Sequence, residues 1–193
     1  NKVVKSMFIN GVKGEKVFTI FGGVNGVGKS TLRNKSGVQT YIIDPDDISR
    51  NTFGDYRKAT LLENKLMENF INSDMSFGRE TTLTGKTIFK KITYLKGLGY
   101  KINLVFIHVN DVNICIKRVA KRVREGGHDI PTIDIERRYD IILSNLKANL
   151  YLFDTITFYD NTKGDYKLVG LKNGDIMQEL VKGSYLTIKG IIT

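Results

Sequence analysis

The run Gly22-Gly23-Val24-Asn25-Gly26-Val27-Gly28-Lys29-Ser30-Thr31-Leu32 holds, from Gly23 to Ser30, the pattern G-x-x-x-x-G-K-[ST] without a mismatch. The spacing has a physical reason. Glycines let successive backbone N–H groups curl around a phosphate, and a helix starting at Lys29 aims its positive dipole end at the same point. Lys29 then reaches the β- and γ-phosphates, and the Ser30 hydroxyl is placed to ligate Mg²⁺. Gly23, Asn25, Gly26, Val27, Gly28, Lys29, Ser30 and Thr31 are therefore the expected nucleotide contacts, for ATP or GTP.

Two further groups of residues carry chemistry. In Asp44-Pro45-Asp46-Asp47, Pro45 holds Asp44 extended at the end of an apolar run, where parallel sheets present ligand sites. Asp44 is the candidate for the Mg²⁺ environment. Asp46 either orients and deprotonates an acceptor hydroxyl or, like Asp47, only caps the turn into Ile48–Asn51; position alone leaves both open. In Gly78-Arg79-Glu80-Thr81-Thr82-Leu83-Thr84-Gly85, Glu80 can accept a substrate hydrogen bond and Thr82 donate one to a phosphate, or Thr84 caps a helix and Glu80 is a surface acid.

A basic stretch follows, with Lys117, Arg118, Lys121, Arg122, Arg124, Arg137 and Arg138. Arg118 and Arg122 are four apart and share a helix face, with Val119 and Val123 on the neighbouring stripe as anchors. Gly126-Gly127 supplies a left-handed helix end and hinge, and Pro131 begins the next helix. A hinged arginine helix beside a phosphate loop suits a closing phosphoryl-transfer site, although such a run in isolation is usually a solvated face. His128 is expected to bond backbone or cap a helix, and Cys115 to be a small buried residue.

The elements that must position these groups follow from periodicity. Val17–Phe21, Tyr41–Asp44, Ser76–Glu80, Ile102–Val109 and Thr155–Tyr159 read as strands. Asp55–Ile71, Thr84–Lys96, Val112–Arg124 and Thr132–Leu152 carry helical stripes. Alternation of this kind predicts an α/β, P-loop NTPase-type fold with a mostly parallel sheet covered on both faces. Lys167–Leu171 and Tyr185–Ile188, around Asn173-Gly174-Asp175, read as short strands of a C-terminal β-hairpin. We expect one domain over 1–193, with its core in 17–150 and a sheet-completing segment in 151–193.

Composition narrows the classes. The 193 residues are 41% hydrophobic and 26% charged, ordinary for a globular chain. One cysteine forbids an internal disulfide and a cysteine zinc site, which points to a reducing compartment, the cytoplasm. No run approaches a membrane span, and Asn1 to Lys16 lacks the apolar core of a signal peptide. The net charge of +10 asks for an acidic partner: nucleotide phosphates, nucleic acid or an acidic protein. Transport ATPases are excluded by the lack of an LSGGQ-type signature, and GTP switches by the lack of an NKxD-type motif.

Taken in order, the P-loop, Ile43-Asp44-Pro45-Asp46, Glu80-Thr81-Thr82-Leu83, Arg118-Val119, Arg122-Val123, Gly126-Gly127-His128-Asp129-Ile130-Pro131, Arg137-Arg138-Tyr139 and Asn145-Leu146 resemble the zeta-toxin family of P-loop kinases. They are most similar to its compact bacterial branch of predicted ABC-type ATPases, over about Val17 to Leu150. The resemblance implies transfer of the ATP γ-phosphoryl to a sugar hydroxyl, with UDP-N-acetylglucosamine as the best-known acceptor, and an antitoxin partner covering the nucleotide site. It assigns Asp46 as catalytic base, Glu80 and Thr82 as substrate contacts, and Arg118 and Arg122, with Arg138, as lid arginines. Where family members often carry another basic residue after the Arg-Arg-Tyr element, this chain has Ile141-Ile142. It is also shorter than the toxins acting on UDP-sugars. A polynucleotide kinase and a nucleotide-gated interaction protein remain the competing readings, the first weakened by the absence of an aromatic-interleaved basic patch.

Overall fold

The computed structural model describes residues 15–38 and 40–192. The segment 1–14, read above for lacking a leader core, lies outside the described residues. One seven-stranded sheet carries the site, with strands β1 (Val17–Gly22), β2 (Ile42–Ile43), β3 (Phe77–Thr81), β4 (Lys101–His108), β5 (Thr155–Asp160), β6 (Lys167–Asn173) and β7 (Ile176–Glu179). Their spatial order is β2-β3-β1-β4-β5-β6-β7, the first five parallel and the last two antiparallel. This is the α/β, P-loop NTPase-type arrangement that the alternating pattern predicts.

Burial explains why these runs are strands. Phe18, Ile20, Phe77, Ile102, Phe106, Ile156 and Phe158 are fully buried, as strands covered on both faces require. The covering helices are α1 (Lys29–Ser36), α2 (Pro45–Asn51), α3 (Tyr56–Asn72), α4 (Lys86–Gly97), α5 (Val112–Arg124) and α6 (Thr132–Ala148). Ile92 and Leu95 of α4, Cys115 and Val119 of α5, and Ile135, Ile142 and Leu146 of α6 face the sheet. Because β1 to β5 are parallel, their carboxyl ends share one edge. The phosphate loop, Asp44, Thr82 and Asn161 all follow directly from it.

Several elements differ from expectation. Tyr185–Ile188 is a short helix, α7, because Ser184 caps it by accepting the Thr187 N–H at 3.3 Å. The hairpin at Asn173-Gly174-Asp175 is real, but β6 pairs with Ile176–Glu179. The long helix stops at Ala148, and Leu150–Leu152 forms a 3₁₀ turn. There Asn149 Nδ2 donates to the Asn145 carbonyl at 2.8 Å and satisfies a helix-end acceptor. Val123 is exposed, so α5 is anchored by Cys115 and Val119 instead. Thr84 caps nothing: α4 starts at Lys86 after Gly85. No helix among the described residues is long and apolar enough to cross a membrane.

Candidate active site

The phosphate loop, residues 23–30, leaves β1 and enters α1, and two of its glycines are required by sterics. Gly26 has φ +80°, and a Cβ there would sit 2.5 Å from the Cys115 carbonyl oxygen of α5. Gly28 has φ +101° at the N-cap of α1, with Tyr166 and Asn161 pressed against it. The loop is thus clamped from both sides. Arg138 of α6 donates to Asn25 Oδ1 at 2.6 Å, and Asn161 Nδ2 donates to the Val27 carbonyl at 2.8 Å. Tyr166 Oη donates to the Gly28 carbonyl at 2.9 Å.

Lys29 bends back over its own loop, donating to the carbonyls of Gly23 at 2.8 Å and Val24 at 3.2 Å. Burial lowers its pKa, against the opposing pull of Glu80, Asp46 and Asp44. Ser30 donates its hydroxyl hydrogen to Glu80 Oε2 at 3.0 Å. Glu80, 5% exposed at the end of β3, has its pKa raised by burial and by Asp44, with Lys29 and Arg33 pulling the other way. Arg33 lies one helical turn beyond Ser30 on α1. Its guanidinium lies 3.0 Å from Glu80 Oε1 and 3.2 Å from Asp44 Oδ2, joining both carboxylates to the phosphate-loop helix.

The two aspartates divide their tasks. Asp44 is the N-cap of α2, accepting the Asp46 N–H at 3.0 Å, and Pro45 occupies the first helical position. The cap that position alone left between Asp46 and Asp47 therefore belongs to Asp44. Asp46 keeps a half-buried carboxylate turned to the cavities. Asp47 pairs with Arg50 instead.

Two cavities flank the loop. One, of about 460 Å³, is lined by Gly26, Gly28, Ser30, Thr31, Arg118 and Arg122 together with the segment around Asn161 and Tyr166. The other, of about 490 Å³, is lined by Asp44, Arg79, Thr82, Thr84, His128 and Arg138. Asn25, Lys29, Asp46 and Glu80 line both. Thr82 and Thr84 share a hydrogen bond of 2.8 Å, and Asn145 Nδ2 donates to the Leu83 and Thr84 carbonyls at 3.2 and 3.3 Å. That support matters because Leu83 has φ +55°, a left-handed conformation uncommon for leucine.

Three of the five candidate arginines reach these cavities. Arg118 donates to the Asn161 carbonyl at 2.8 Å, and Arg122 to the His128 carbonyl at 2.7 Å. His128 accordingly serves through its backbone. Arg138 is the third; Arg124 is exposed and Arg137 pairs with Asp134. Cys115 is buried, its thiol pushed up to about 11 by burial. Sequence reasoning passed over Arg33, Arg79, Asn161 and Tyr166. A signal existed for two: Arg33 is three residues past Ser30 on one helix, and Asn161 follows a parallel strand at its carboxyl end.

No family model matches the chain. The fold is similar to that of a protein in the PezAT chromosomal toxin-antitoxin system of Streptococcus pneumoniae, at 18% identity and TM-score 0.62, covering 87% of this chain and 77% of that one. It is also similar to the AvrRxo1-ORF1:-ORF2 structure with ATP, at 14% identity and TM-score 0.70, covering 99% of this chain and 66% of that one. A third likeness is to the Pnkp1/Rnl/Hen1 RNA repair complex, at 17% identity and TM-score 0.58, over 91% of this chain and 52% of that one. These likenesses agree with the α/β, P-loop NTPase-type fold described above. In sequence, 124 residues are 33% identical to an uncharacterised protein of Haemophilus influenzae, covering 61% of this chain and 88% of that one. The chain belongs to the same family as that Haemophilus influenzae protein.

Proposed function

We propose that the chain is an ATP- and Mg²⁺-dependent phosphotransferase of the zeta-toxin type, moving the γ-phosphoryl of ATP to a hydroxyl of a small acceptor. One observation carries this: the two cavities meet at Lys29, Asp46 and Glu80. A donor nucleotide on the phosphate-loop side and an acceptor on the Asp46 side then touch across the groups that in-line transfer needs. Each cavity falls in the range of small-molecule sites.

The residues present fit Mg²⁺. Ser30 Oγ and Glu80 Oε2 are hard oxygen donors 3.0 Å apart, with Asp44 as the second acid behind them. Among the described residues no cluster of three His, Cys, Asp or Glu could hold a metal alone, which suits an ion bound chiefly through substrate phosphates. When bound, the ion would neutralise charge on the phosphates. Lys29 exchanges its loop carbonyls for phosphate oxygens. Asp46 accepts the proton from the acceptor hydroxyl as it attacks, while Thr82 and Arg138 hold the acceptor. Arg118 and Arg122 meet charge that develops during transfer.

A UDP-N-acetyl sugar such as UDP-N-acetylglucosamine is the acceptor that the zeta-toxin resemblance favours. The same resemblance, with the fold likeness to PezAT and the charge of +10, supports an acidic antitoxin as protein partner. The test is radiolabelled ATP with UDP-N-acetyl sugars, simple sugars and RNA 5′ ends. Label on a small acceptor, lost in Lys29→Ala, is expected. ATP bound but no label transferred to any acceptor would overturn the reading.

A further inference from the structure

Arg33 of α1 sits where two acids meet. Its Nη1 donates to Asp44 Oδ2 at 3.2 Å and stands 3.0 Å from Glu80 Oε1. The second contact is an ion pair without hydrogen-bond alignment. Glu80 Oε1 is therefore buried with no hydrogen-bond donor, while Oε2 takes the Ser30 hydroxyl. None of the three charged side chains is more than 19% exposed. One guanidinium nitrogen thus serves two carboxylates from different parts of the sheet edge, Asp44 directly after β2 and Glu80 within β3. Carboxylates this enclosed repel each other with little screening by solvent or salt. Among the described residues, Arg33 is the cation paired with both.

Arg33 lines neither cavity, so it acts through the acids and not on a ligand. The consequence concerns the charge of the nucleotide. Glu80 lines the nucleotide-side cavity with Lys29 and Ser30, so a triphosphate on the loop brings more negative charge beside the acid pair. A metal ion arriving with the phosphates offsets that charge. Without the ion, the compensation has to come from cations built into the protein. We propose that Arg33 is a positioning residue, the resident counter-ion of the Asp44–Glu80 pair, which holds the two carboxylates together and limits how far nucleotide binding depends on Mg²⁺. Loss of its charge leaves the pair uncompensated, so metal-free ATP is repelled while Mg²⁺-ATP supplies its own offset. Lysine can replace the charge here, although as a point charge it lacks the fork that spans two acids.

The counter-ion role rests on the reading that the phosphate loop takes ATP with Mg²⁺, and the two fail differently. Calorimetry on the full chain measures ATP affinity in excess Mg²⁺ and in excess EDTA, and the ratio of the two is the readout. Arg33→Gln keeps an N–H donor for the acids but loses the charge. Its metal-free affinity should fall about tenfold or more, and its affinity in Mg²⁺ by less than about threefold, so the ratio widens. Arg33→Lys should recover most of the metal-free affinity. If Arg33→Gln does not fold, Asp44→Asn in EDTA carries the test. It keeps the α2 cap, since Asn caps about as well as Asp, and leaves Arg33 with one acid. Metal-free affinity should then rise about threefold or more. An arginine needed only for the fold would lower both affinities alike. Parallel losses or an unchanged ratio in Arg33→Gln, no recovery in Arg33→Lys, or no rise in Asp44→Asn overturns the counter-ion role and leaves the kinase reading intact. Wild-type protein that binds no ATP with or without Mg²⁺ would instead remove the kinase reading.

Discussion

Lys29 and Asp46 are the two side chains whose chemistry can be separated from their structural work. The Lys29 ammonium is held by the Gly23 and Val24 carbonyls of its own loop, while burial disfavours its charge. Phosphate oxygens can replace those carbonyls with a full negative charge, so the residue is poised to exchange partners rather than to hold the fold. Lys29→Ala is expected to leave the circular dichroism spectrum unchanged and to abolish turnover; activity equal to wild type would remove the kinase assignment. Asp46→Asn preserves side-chain size, and the helix cap does not depend on it because Asp44 provides that bond. Nucleotide affinity should therefore stay at the wild-type value, while single-turnover transfer falls about 10²-fold or more for loss of a general base. Unchanged transfer would leave Asp46 without a catalytic role.

At the scale of elements, the phosphate loop depends on what clamps it, and the cavity lined by Arg79 and Thr82 on a buried ion network behind it. Glu63 on α3, 8% exposed, pairs with Arg79 of β3 at 2.9 Å and Lys91 of α4 at 2.6 Å. Burial pushes its carboxyl up, but the two cations outweigh this and hold it below the usual carboxylate range. Glu63→Ala leaves two half-buried cations facing each other. It should lower stability by about 3–5 kcal/mol in urea unfolding, the scale for breaking a buried pair. A loss under about 1 kcal/mol would show that solvent already screens the network. Because the folded carboxyl titrates below the unfolded one, this contribution is present above the unfolded pKa and is lost as pH falls through the folded one. The elements around these residues were legible in sequence where periodicity was strong: every strand of the parallel set and α3 to α6 fall within a few residues of expectation. The C-terminal segment was not. Tyr185–Ile188 has strand-forming residue types, and the Ser184 cap on Thr187, with backbone bonds such as Ile188 N–H to the Ser184 carbonyl, makes it a turn of helix. In the site, motif spacing singled out Lys29 and Ser30, strand-end position Asp46 and Glu80, and helix spacing Arg118 and Arg122, and all six line the two cavities. The Arg33 bridge and the Glu63 network join residues distant in sequence, and charge type alone does not reveal such pairings.

Across the whole molecule, the sheet joins its carboxyl edge to the C-terminal segment through His108. The ring lies at the end of β4, 3% exposed, stacked on Phe106, Tyr139 and Tyr185 at centroid distances of 6.2, 5.3 and 4.9 Å. Tyr139 sits next to Arg138 on α6 and donates to the Val109 carbonyl at 2.9 Å, whereas Tyr185 belongs to α7. One buried imidazole thus touches the strand edge, the helix bearing a cavity arginine, and the last helix. Burial lowers its pKa to about 4 from 6.5, with Asp160 opposing and Lys189 assisting. The sign follows: as pH falls below about 6.5 the unfolded chain takes up this proton before the folded one, so stability decreases until about pH 4. Between pH 7 and pH 5 the loss should be about 2 kcal/mol from this group. That window lies above the Glu63 titration, so the two effects separate. His108→Phe keeps a stacked ring without a titrating proton, and its urea midpoint should lose that part of the pH slope. If wild type and variant lose stability in parallel between pH 7 and pH 5, the imidazole does not bind its proton more weakly when folded, and the packing of α6 and α7 against β4 is open enough to solvate it.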